Sequence, residues 1–187
     1  MKNKFRIYPI ILSVIICGVF LTSCGLFSPL AAGKWEGNIF TNTWSDITFE
    51  LPPEFQAQVL NSQDPERHKT DFLLTADDNE AVIILTYIDV SGQDDTSEDY
   101  LDVVKEQLSE SQERVHAFPD NYEKVTIAGK EYTVMRTSYV NNDSTEVIYQ
   151  DGYVHRFVDT IILLLTVYSD DTKDAVDLFL SSIKQVN

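Results

Sequence analysis

The chain has 187 residues, of which 43% are hydrophobic and 24% charged, and this composition excludes a disordered or fibrous protein. Its net charge of −16 excludes nucleic acid as a partner, because phosphate groups repel an acidic surface. Only two cysteines, Cys17 and Cys24, are present, so neither a disulfide framework nor a cysteine-based zinc site is expected. We therefore expect a globular protein without a cofactor.

The first 23 residues have the pattern of an export signal. Three basic residues, Lys2, Lys4 and Arg6, precede an apolar run of about fifteen residues at positions 7–21. A bilayer span takes roughly 20 residues, so this shorter run fits the apolar region of a signal peptide over residues 1–23. Its removal leaves 164 of the 187 residues, and the loss of three positive charges takes the net charge from −16 to −19.

The end of the signal carries the motif Leu21-Thr22-Ser23-Cys24, which resembles the lipobox of bacterial lipoproteins. In that family a diacylglyceryl group is attached to the cysteine thiol, and the chain is cut just before the cysteine. The resemblance implies lipid attachment at Cys24 and an anchor at the cell membrane or cell surface, because two or three acyl chains hold firmly. Cys17 leaves with the signal peptide, so a thiol role in the mature chain is not expected.

The first half of the remaining sequence predicts strands. Residues 24–34 read as the lipidated N-terminus and a short spacer, and residues 35–187 as one extracytoplasmic domain. Alternating apolar residues predict a strand at 45–51, ended by prolines, and residues 54–61 are compatible with one or two helical turns. A turn cluster at 76–80, between two apolar stretches, predicts a hairpin of strands 71–75 and 81–90.

The middle of the chain predicts a helix and a second hairpin. Apolar residues recur at helical spacing over 97–112, and Thr96 or Ser97 supplies the N-cap. After this helix, two apolar stretches at 122–127 and 130–140 flank Ala128-Gly129 and predict a hairpin.

The last third leaves one choice open. Asp151-Gly152 is a hairpin or bulge signal, but strand 145–150 can also continue through 153–157 to a turn at 158–160. The nearly uniform apolar run 161–168 predicts a central strand covered on both faces. A helix over 171–185, capped by Ser169 or Asp170, closes the chain.

This order of elements predicts an α+β protein, an antiparallel sheet with helices packed on it. The order from 44 to 187, together with Ile47-Thr-Phe-Glu-Leu-Pro52, resembles the Mog1/PsbP-like fold. The resemblance implies an accessory or binding role and brings no catalytic residues with it. The alternative fold is a cystatin- or NTF2-like curved sheet wrapped around a helix.

The three histidines do not have the spacing of metal ligands. His68 lies in a polar loop, and His155 lies in a strand. His116 follows the predicted helix, and the dipole of that helix favours a cation near its C-terminus. We expect no metal at any of them.

Three acidic clusters are the other candidates for a cation site, since calcium prefers oxygen ligands. They are Asp77-Asp78-Asn79-Glu80, Asp94-Asp95 with Glu98-Asp99, and Asp170-Asp171 with Asp174. Two of the three lie at predicted helix N-termini, where the helix dipole stabilises acids, and none has the spacing of a calcium loop. Capping and solvation are therefore the expected roles.

The sequence has no recognisable nucleophile motif and no glycine-rich phosphate loop. Trp35 and Trp44 flank the start of the domain and are expected in the core, although they could instead line a ligand cleft or an interface. We expect a non-enzymatic binding or accessory protein of the cell envelope, whose partner is an envelope protein or a small ligand. The alternatives are an envelope hydrolase with a carboxylate pair and a cation-binding surface protein.

Overall fold

A computed structural model of the chain describes residues 33–58, 68–76, 80–110, 114–141 and 145–186. These residues form a three-stranded sheet, an eight-stranded sheet and two α-helices, and every strand pairing in both sheets is antiparallel. The predicted α+β class is confirmed. The predicted signal peptide and Cys24 lie outside the described residues.

The small sheet comes first in the chain and the large sheet follows. The small sheet has the order β1-β2-β3, with strands β1 (Lys34–Glu36), β2 (Ile39–Asn42) and β3 (Ile47–Glu50). The large sheet has the order β4-β5-β6-β11-β10-β9-β7, and β8 pairs with β9. Its strands are β4 (Phe55–Gln58), β5 (His68–Ala76), β6 (Ala81–Asp89), β7 (Arg114–Ala117), β8 (Glu123–Ile127), β9 (Lys130–Asn141), β10 (Val147–Phe157) and β11 (Thr160–Ser169).

The two helices cover opposite faces of the large sheet. Helix α1 (Ser97–Ser109) places Leu101 and Leu108 against Val154 and neighbouring apolar residues of the sheet. The predicted N-cap Thr96 is confirmed, and it forms a capping box with the third residue of the helix. A 3₁₀ turn (Asp170–Thr172) leads into helix α2 (Lys173–Ser182), which packs on the other face together with the small sheet.

The apolar face of α2 joins the two sheets. Phe179 is fully buried, and its ring centroid lies 4.9 Å from that of Phe49 in the small sheet. It also lies 6.3 Å from the ring of Phe72 in the large sheet. Edge-to-face contacts of this kind stabilise beyond the area they bury, so these rings fix the small sheet on the large one.

The strand choice around Asp151-Gly152 is settled by β10, which runs unbroken from Val147 to Phe157. The turn lies at Val158-Asp159, which confirms the alternative of a continuous strand ending in a turn at 158–160, and Asp151-Gly152 is inside the sheet, which excludes the hairpin alternative. The predicted central strand is confirmed, because every residue of β11 is buried between β6 and β10.

Other local predictions were wrong. Residues 55–58 form β4 rather than a helical turn, because Phe55 is buried and the segment pairs with β5. The final helix ends at Ser182, earlier than predicted, because the backbone of Lys184 exchanges two hydrogen bonds with Thr48 in the small sheet. Strands β1, β2 and β7 had no clear sequence signal.

Candidate functional site

Gly33, the first residue that the structure describes, is held by a fixed contact. Its backbone N–H donates to both carboxylate oxygens of Asp71, at 3.1 and 3.2 Å. The side-chain amide of Asn42 donates to the same carboxylate at 2.6 Å. A Cβ atom at position 33 would lie 2.1 Å from Cζ of Phe40, so glycine is required by this close approach. The position of Gly33 is therefore set by hydrogen bonding and packing.

A buried polar network supports this junction from behind. The Tyr87 hydroxyl lies 3.0 Å from Nδ2 of Asn42 and 2.9 Å from Oγ of Ser45, and all three residues are buried. Burial, followed by the negative charge of Asp71, raises the pKa of Tyr87 well above its usual value, so the phenol stays neutral. The network links the small sheet to the large one through satisfied hydrogen bonds.

The β10–β11 turn beside this junction exposes two apolar side chains. Val158 is 72% exposed and Phe157 is 39% exposed. The ring of Phe157 lies 5.7 Å from that of Trp44, which in turn lies 5.1 Å from the ring of Tyr87. Val158 has a φ of 53°, and a β-branched residue in this left-handed region is strained.

Arg156 holds the strained turn in place. Its Nε donates to the carbonyl of Val158 at 3.1 Å, and Nη2 donates to the carbonyl of Gln93 at 2.7 Å. Nη1 donates to the carbonyl of Asp95. The Val90 N–H also donates to the carbonyl of Asp159 at 2.8 Å. The loop before α1 therefore fixes the conformation of the turn.

A cleft of 480 Å³ opens where β9 and β10 separate. Their pairing ends at Thr133 and Val154, and the first residues of β9 pair with β8 alone. Nδ1 of His155 bridges the gap at 2.8 Å from the carbonyl of Glu131. The cleft is lined by Thr96, Ser97, Glu98, Lys124, Glu131, Thr133, His155 and Arg156.

The cleft presents charges of both signs and several hydroxyl groups. Nζ of Lys124 donates to Oγ1 of Thr133 at 2.8 Å and forms an ion pair with Glu98 at 2.8 Å. The imidazole of His155 lies against Tyr132, with 5.3 Å between the ring centroids. Such a lining suits a small polar ligand that is recognised by hydrogen bonds and paired charges.

A second polar cluster surrounds Asp151 in the middle of the sheet. Its carboxylate accepts hydrogen bonds from Arg136 at 2.6 Å, Tyr168 at 3.0 Å and Tyr153 at 3.4 Å. Burial raises the pKa of Asp151, although the neighbouring guanidinium opposes that shift. Burial also raises the pKa of Tyr153 to about 12, so this phenol remains a hydrogen-bond donor. The carboxylate is enclosed by its partners, and these hydrogen bonds link strands β9, β10 and β11.

The three histidines lie in three different strands, β5, β7 and β10. His155 lines the cleft and is half-buried, as expected for a strand histidine. His68 begins β5 rather than lying in a loop, and His116 lies in β7 rather than at the helix end, so both local placements were wrong.

The acidic clusters have separate roles. Asp99 completes the capping box, and its hydrogen bonds with Thr96 lower its pKa, which confirms the capping interpretation there. Glu98 is paired with Lys124, and Asp170 hydrogen-bonds Tyr149. Asp170, Asp171 and Asp174 lie in the first turns of the 3₁₀ segment and α2. Of the cluster at 77–80, residues 77–79 lie outside the described residues.

The part of the chain that the structure describes holds no group of three or more histidine, cysteine, aspartate or glutamate side chains arranged for a metal ion. Among the same residues, neither helix has the length and apolar character to cross a membrane. Trp35 packs against Phe40 and Phe49, and Trp44 against Tyr87, so both tryptophans lie partly buried against the core, and Trp44 also contacts the exposed Phe157.

The sequence signals missed most of the cleft. Lys124, Glu131 and Thr133 lie in strands whose pattern gives no sign that β9 leaves β10 at this point. The Asp151 cluster was missed because Asp-Gly is a strong turn signal, and burial with three partners overrides it here.

The architecture of the domain is found in other solved proteins, although no known protein family and no curated protein matches the sequence. The fold is similar to the solution structure of cyanobacterial PsbP (CyanoP) from Synechocystis sp. PCC 6803, with a TM-score of 0.53 and 15% identity over 89% of this chain and 99% of that chain. It is also similar to the crystal structure of LpqN, involved in cell envelope biogenesis of Mycobacterium tuberculosis. The TM-score is 0.50, and the two sequences are 16% identical over 75% of this chain and 83% of that chain. At these identities the likeness shows the fold, and it confirms the PsbP-like architecture over the cystatin- or NTF2-like alternative.

Proposed function

We propose that this chain is a lipoprotein of the bacterial cell envelope, anchored outside a membrane by lipid on Cys24, and that it acts as a non-enzymatic binding or accessory protein. The observation that carries the proposal is the lipobox-like motif at 21–24 directly after a basic start and an apolar run, nine residues before Gly33, which is fixed to the fold. The role of LpqN, a similar fold involved in cell envelope biogenesis, supports the same cellular setting.

Metabolic labelling with a radioactive fatty acid tests the anchor. We expect label on the wild-type protein and none on Cys24→Ala, which should also keep its signal peptide and migrate as a larger species. Cys17→Ala is the matched control, because this cysteine lies inside the apolar run that is removed, and it should label like the wild type. A labelled and fully processed Cys24→Ala variant would refute the lipid attachment.

For the binding role, we propose the cleft between β9 and β10 as the site. Lys124, His155 and Arg156 supply positive or hydrogen-bonding groups, and Glu98 and Glu131 supply carboxylates on the same opening. A partner loop or a small molecule with complementary charges could be held there by hydrogen bonds of both polarities.

Affinity capture from native membranes, read by mass spectrometry, tests this site. The lipidated wild type, Lys124→Ala and Lys184→Ala are compared, and Lys184 is an exposed lysine away from the cleft. A partner retained by wild type and Lys184→Ala but lost by Lys124→Ala supports the cleft. Equal recovery by all three proteins excludes the cleft, and recovery of nothing specific counts against the binding role.

Hydrolysis by a carboxylate pair is the competing chemistry for the same opening, where Glu98 and Glu131 both line the wall. General-acid catalysis needs a carboxyl group kept protonated by burial, but the side chain of Glu98 is 55% exposed and paired with Lys124. We therefore favour binding. Hydrolysis of a cell-wall glycan by wild type, abolished in Glu98→Gln, would overturn this preference.

A further inference from the structure

We infer that the domain rests on its own membrane through an apolar tip, formed by Trp44, Phe157 and Val158, which touches the bilayer surface beside the lipid tether. The inference rests on the proposed lipidation of Cys24. It adds an orientation and a second membrane contact to that anchor.

The length of the tether limits how the domain can be oriented. Nine peptide units join Cys24 to Gly33, and at about 3.3–3.6 Å per residue they reach at most about 30 Å. A domain of roughly 150 residues has a radius of gyration of about 15 Å and is therefore about 40 Å across. The tether therefore keeps Gly33 within about 30 Å of the bilayer, which excludes orientations that place Gly33 on the side of the domain farthest from the membrane.

A short chain of contacts links the tip to Gly33. The backbone N–H of Gly33 donates to the Asp71 carboxylate, and the Asn42 amide donates both to that carboxylate and to the Tyr87 hydroxyl. The ring of Tyr87 contacts Trp44, whose ring contacts Phe157. The sheet register places the strand ends that carry Phe157, Thr160 and Asp89 side by side, and Asp89 lies two residues from Tyr87 on β6.

The chemistry of the tip suits the bilayer interface. Tryptophan and phenylalanine side chains partition into the interface, and a valine that is 72% exposed leaves its apolar surface in water when no membrane is present. Val158 also occupies a left-handed conformation that Asn or Gly would adopt without strain. An apolar residue held at a strained, exposed position points to a use outside the fold.

Among the described residues, three other large apolar side chains are exposed: Ile39 at 46%, Leu178 at 53% and Val103 at 45%. Val103 serves as the internal control, because α1 covers the opposite face of the large sheet from Trp44. The charge of −19 on the mature chain opposes flat adsorption to anionic lipid, and Asp159 adjoins the tip. Contact is therefore expected at the tip and the tether, with the rest of the surface in water.

Site-directed spin labelling of the lipidated protein tests the orientation. The thiol of Cys24 carries lipid and Cys17 is removed, so Val158→Cys introduces the one free thiol of the mature chain, and Val103→Cys is its matched control. In vesicles of phosphatidylethanolamine and phosphatidylglycerol, we expect the label at 158 to show several-fold lower access to a water-soluble nickel chelate than the label at 103. Its access to oxygen should be higher.

A second readout leaves position 158 unchanged. In a Trp35→Phe background Trp44 is the remaining tryptophan, and brominated lipid should quench its fluorescence. Equal aqueous accessibility at 158 and 103, with no quenching, on a protein that floats with the vesicles would overturn the bilayer contact and leave the anchor intact. Protection at 158 that requires other envelope proteins would overturn it in favour of a protein partner. A protein that does not float would refute the lipidation and the orientation together.

Discussion

The turns of the β8–β9 and β10–β11 hairpins both begin with a residue in the left-handed region, but the residues that occupy the two turns differ. Each has a non-glycine residue with positive φ at its first position, Ala128 at 49° and Val158 at 53°. In the first turn the next residue is Gly129, also at positive φ, and Ala128 packs against the core. In the second turn the next residue is Asp159, and the valine side chain lies in solvent.

The difference shows where residue choice follows the fold and where it does not. Ala and Gly are small residues that a turn with two positive φ angles tolerates. Valine has two branches at Cβ, which make the same conformation costly, and nothing in the described fold is packed against it in return. Four predictions, given in order of decreasing effect, test this contrast.

Transplanting the second turn into the first, by Ala128→Val with Gly129→Asp, should have the largest effect. Each position requires a left-handed backbone, so the double variant is expected to lose about 2–3 kcal/mol of unfolding free energy. A Cβ at position 129 would also lie 3.4 Å from Oε1 of Gln185. Urea unfolding measures the loss, and Ala128→Asn is the control that should retain full stability. An unchanged midpoint in the double variant would show that the first turn tolerates the strain equally well.

Releasing the strained turn from its support should have the next largest effect. Arg156→Ala removes the three hydrogen bonds to the carbonyls of Val158, Gln93 and Asp95, and we expect a loss of about 1–2 kcal/mol. Amide exchange at Val90, which donates to Asp159, should accelerate in parallel. Arg156→Lys keeps the charge but has no planar fork, so it should recover little of the stability. Full recovery by lysine would mean that charge rather than geometry holds the turn.

Relieving the strain directly should stabilise the protein. Asn tolerates the left-handed region, so Val158→Asn is expected to gain about 1 kcal/mol and to raise Tm by a few degrees. The same variant should weaken contact of the tip with vesicles. A loss of stability would show that Val158 makes a favourable contact within the fold.

The smallest effect concerns the stability in acid that Asp46 contributes, since its carboxylate contacts Lys130 directly after the first turn. Hydrogen bonds from Gln185, Lys130 and the Val186 N–H lower the pKa of Asp46, against the opposing effect of desolvation. A lowered folded-state pKa means that this carboxylate contributes stability above its unfolded-state value and that the contribution is lost as pH falls through the folded-state value. Asp46→Asn should therefore reduce the decline in stability below about pH 4. Val158→Asn, which touches none of these groups, should decline with acid as the wild type does.

The elements that could be predicted from sequence were those decided locally. Helix α1 has its cap, its acidic first turn and its apolar stripe within one stretch, and the cap at Thr96 was predicted correctly. Strand β11 could be predicted because a run of apolar residues must be covered on both faces.

The elements that were missed depend on distant partners. Strand β4 was read as helical, and its strand conformation comes from pairing with β5. The local sequence Asp151-Gly152 is typical of a turn, and its strand conformation depends on hydrogen bonds from Arg136 and Tyr168, which are distant in sequence. The cleft exists because the pairing of β9 with β10 ends at Thr133 while its pairing with β8 continues to Lys130, and the end of a pairing leaves no trace in the local pattern.

The contact between Gly33 and Asp71 also has a mechanical consequence. A pull on the N-terminal side of the chain, as the proposed lipid anchor would exert, would reach the described fold first at this point, where two hydrogen bonds tie Gly33 to β5, and then at the short ladder between β1 and β2. Because β5 belongs to the large sheet, the first contact loads the large sheet directly, and the ladder of the small sheet carries the load once those two hydrogen bonds break. The small sheet would then lose β1 before the remaining strands separate.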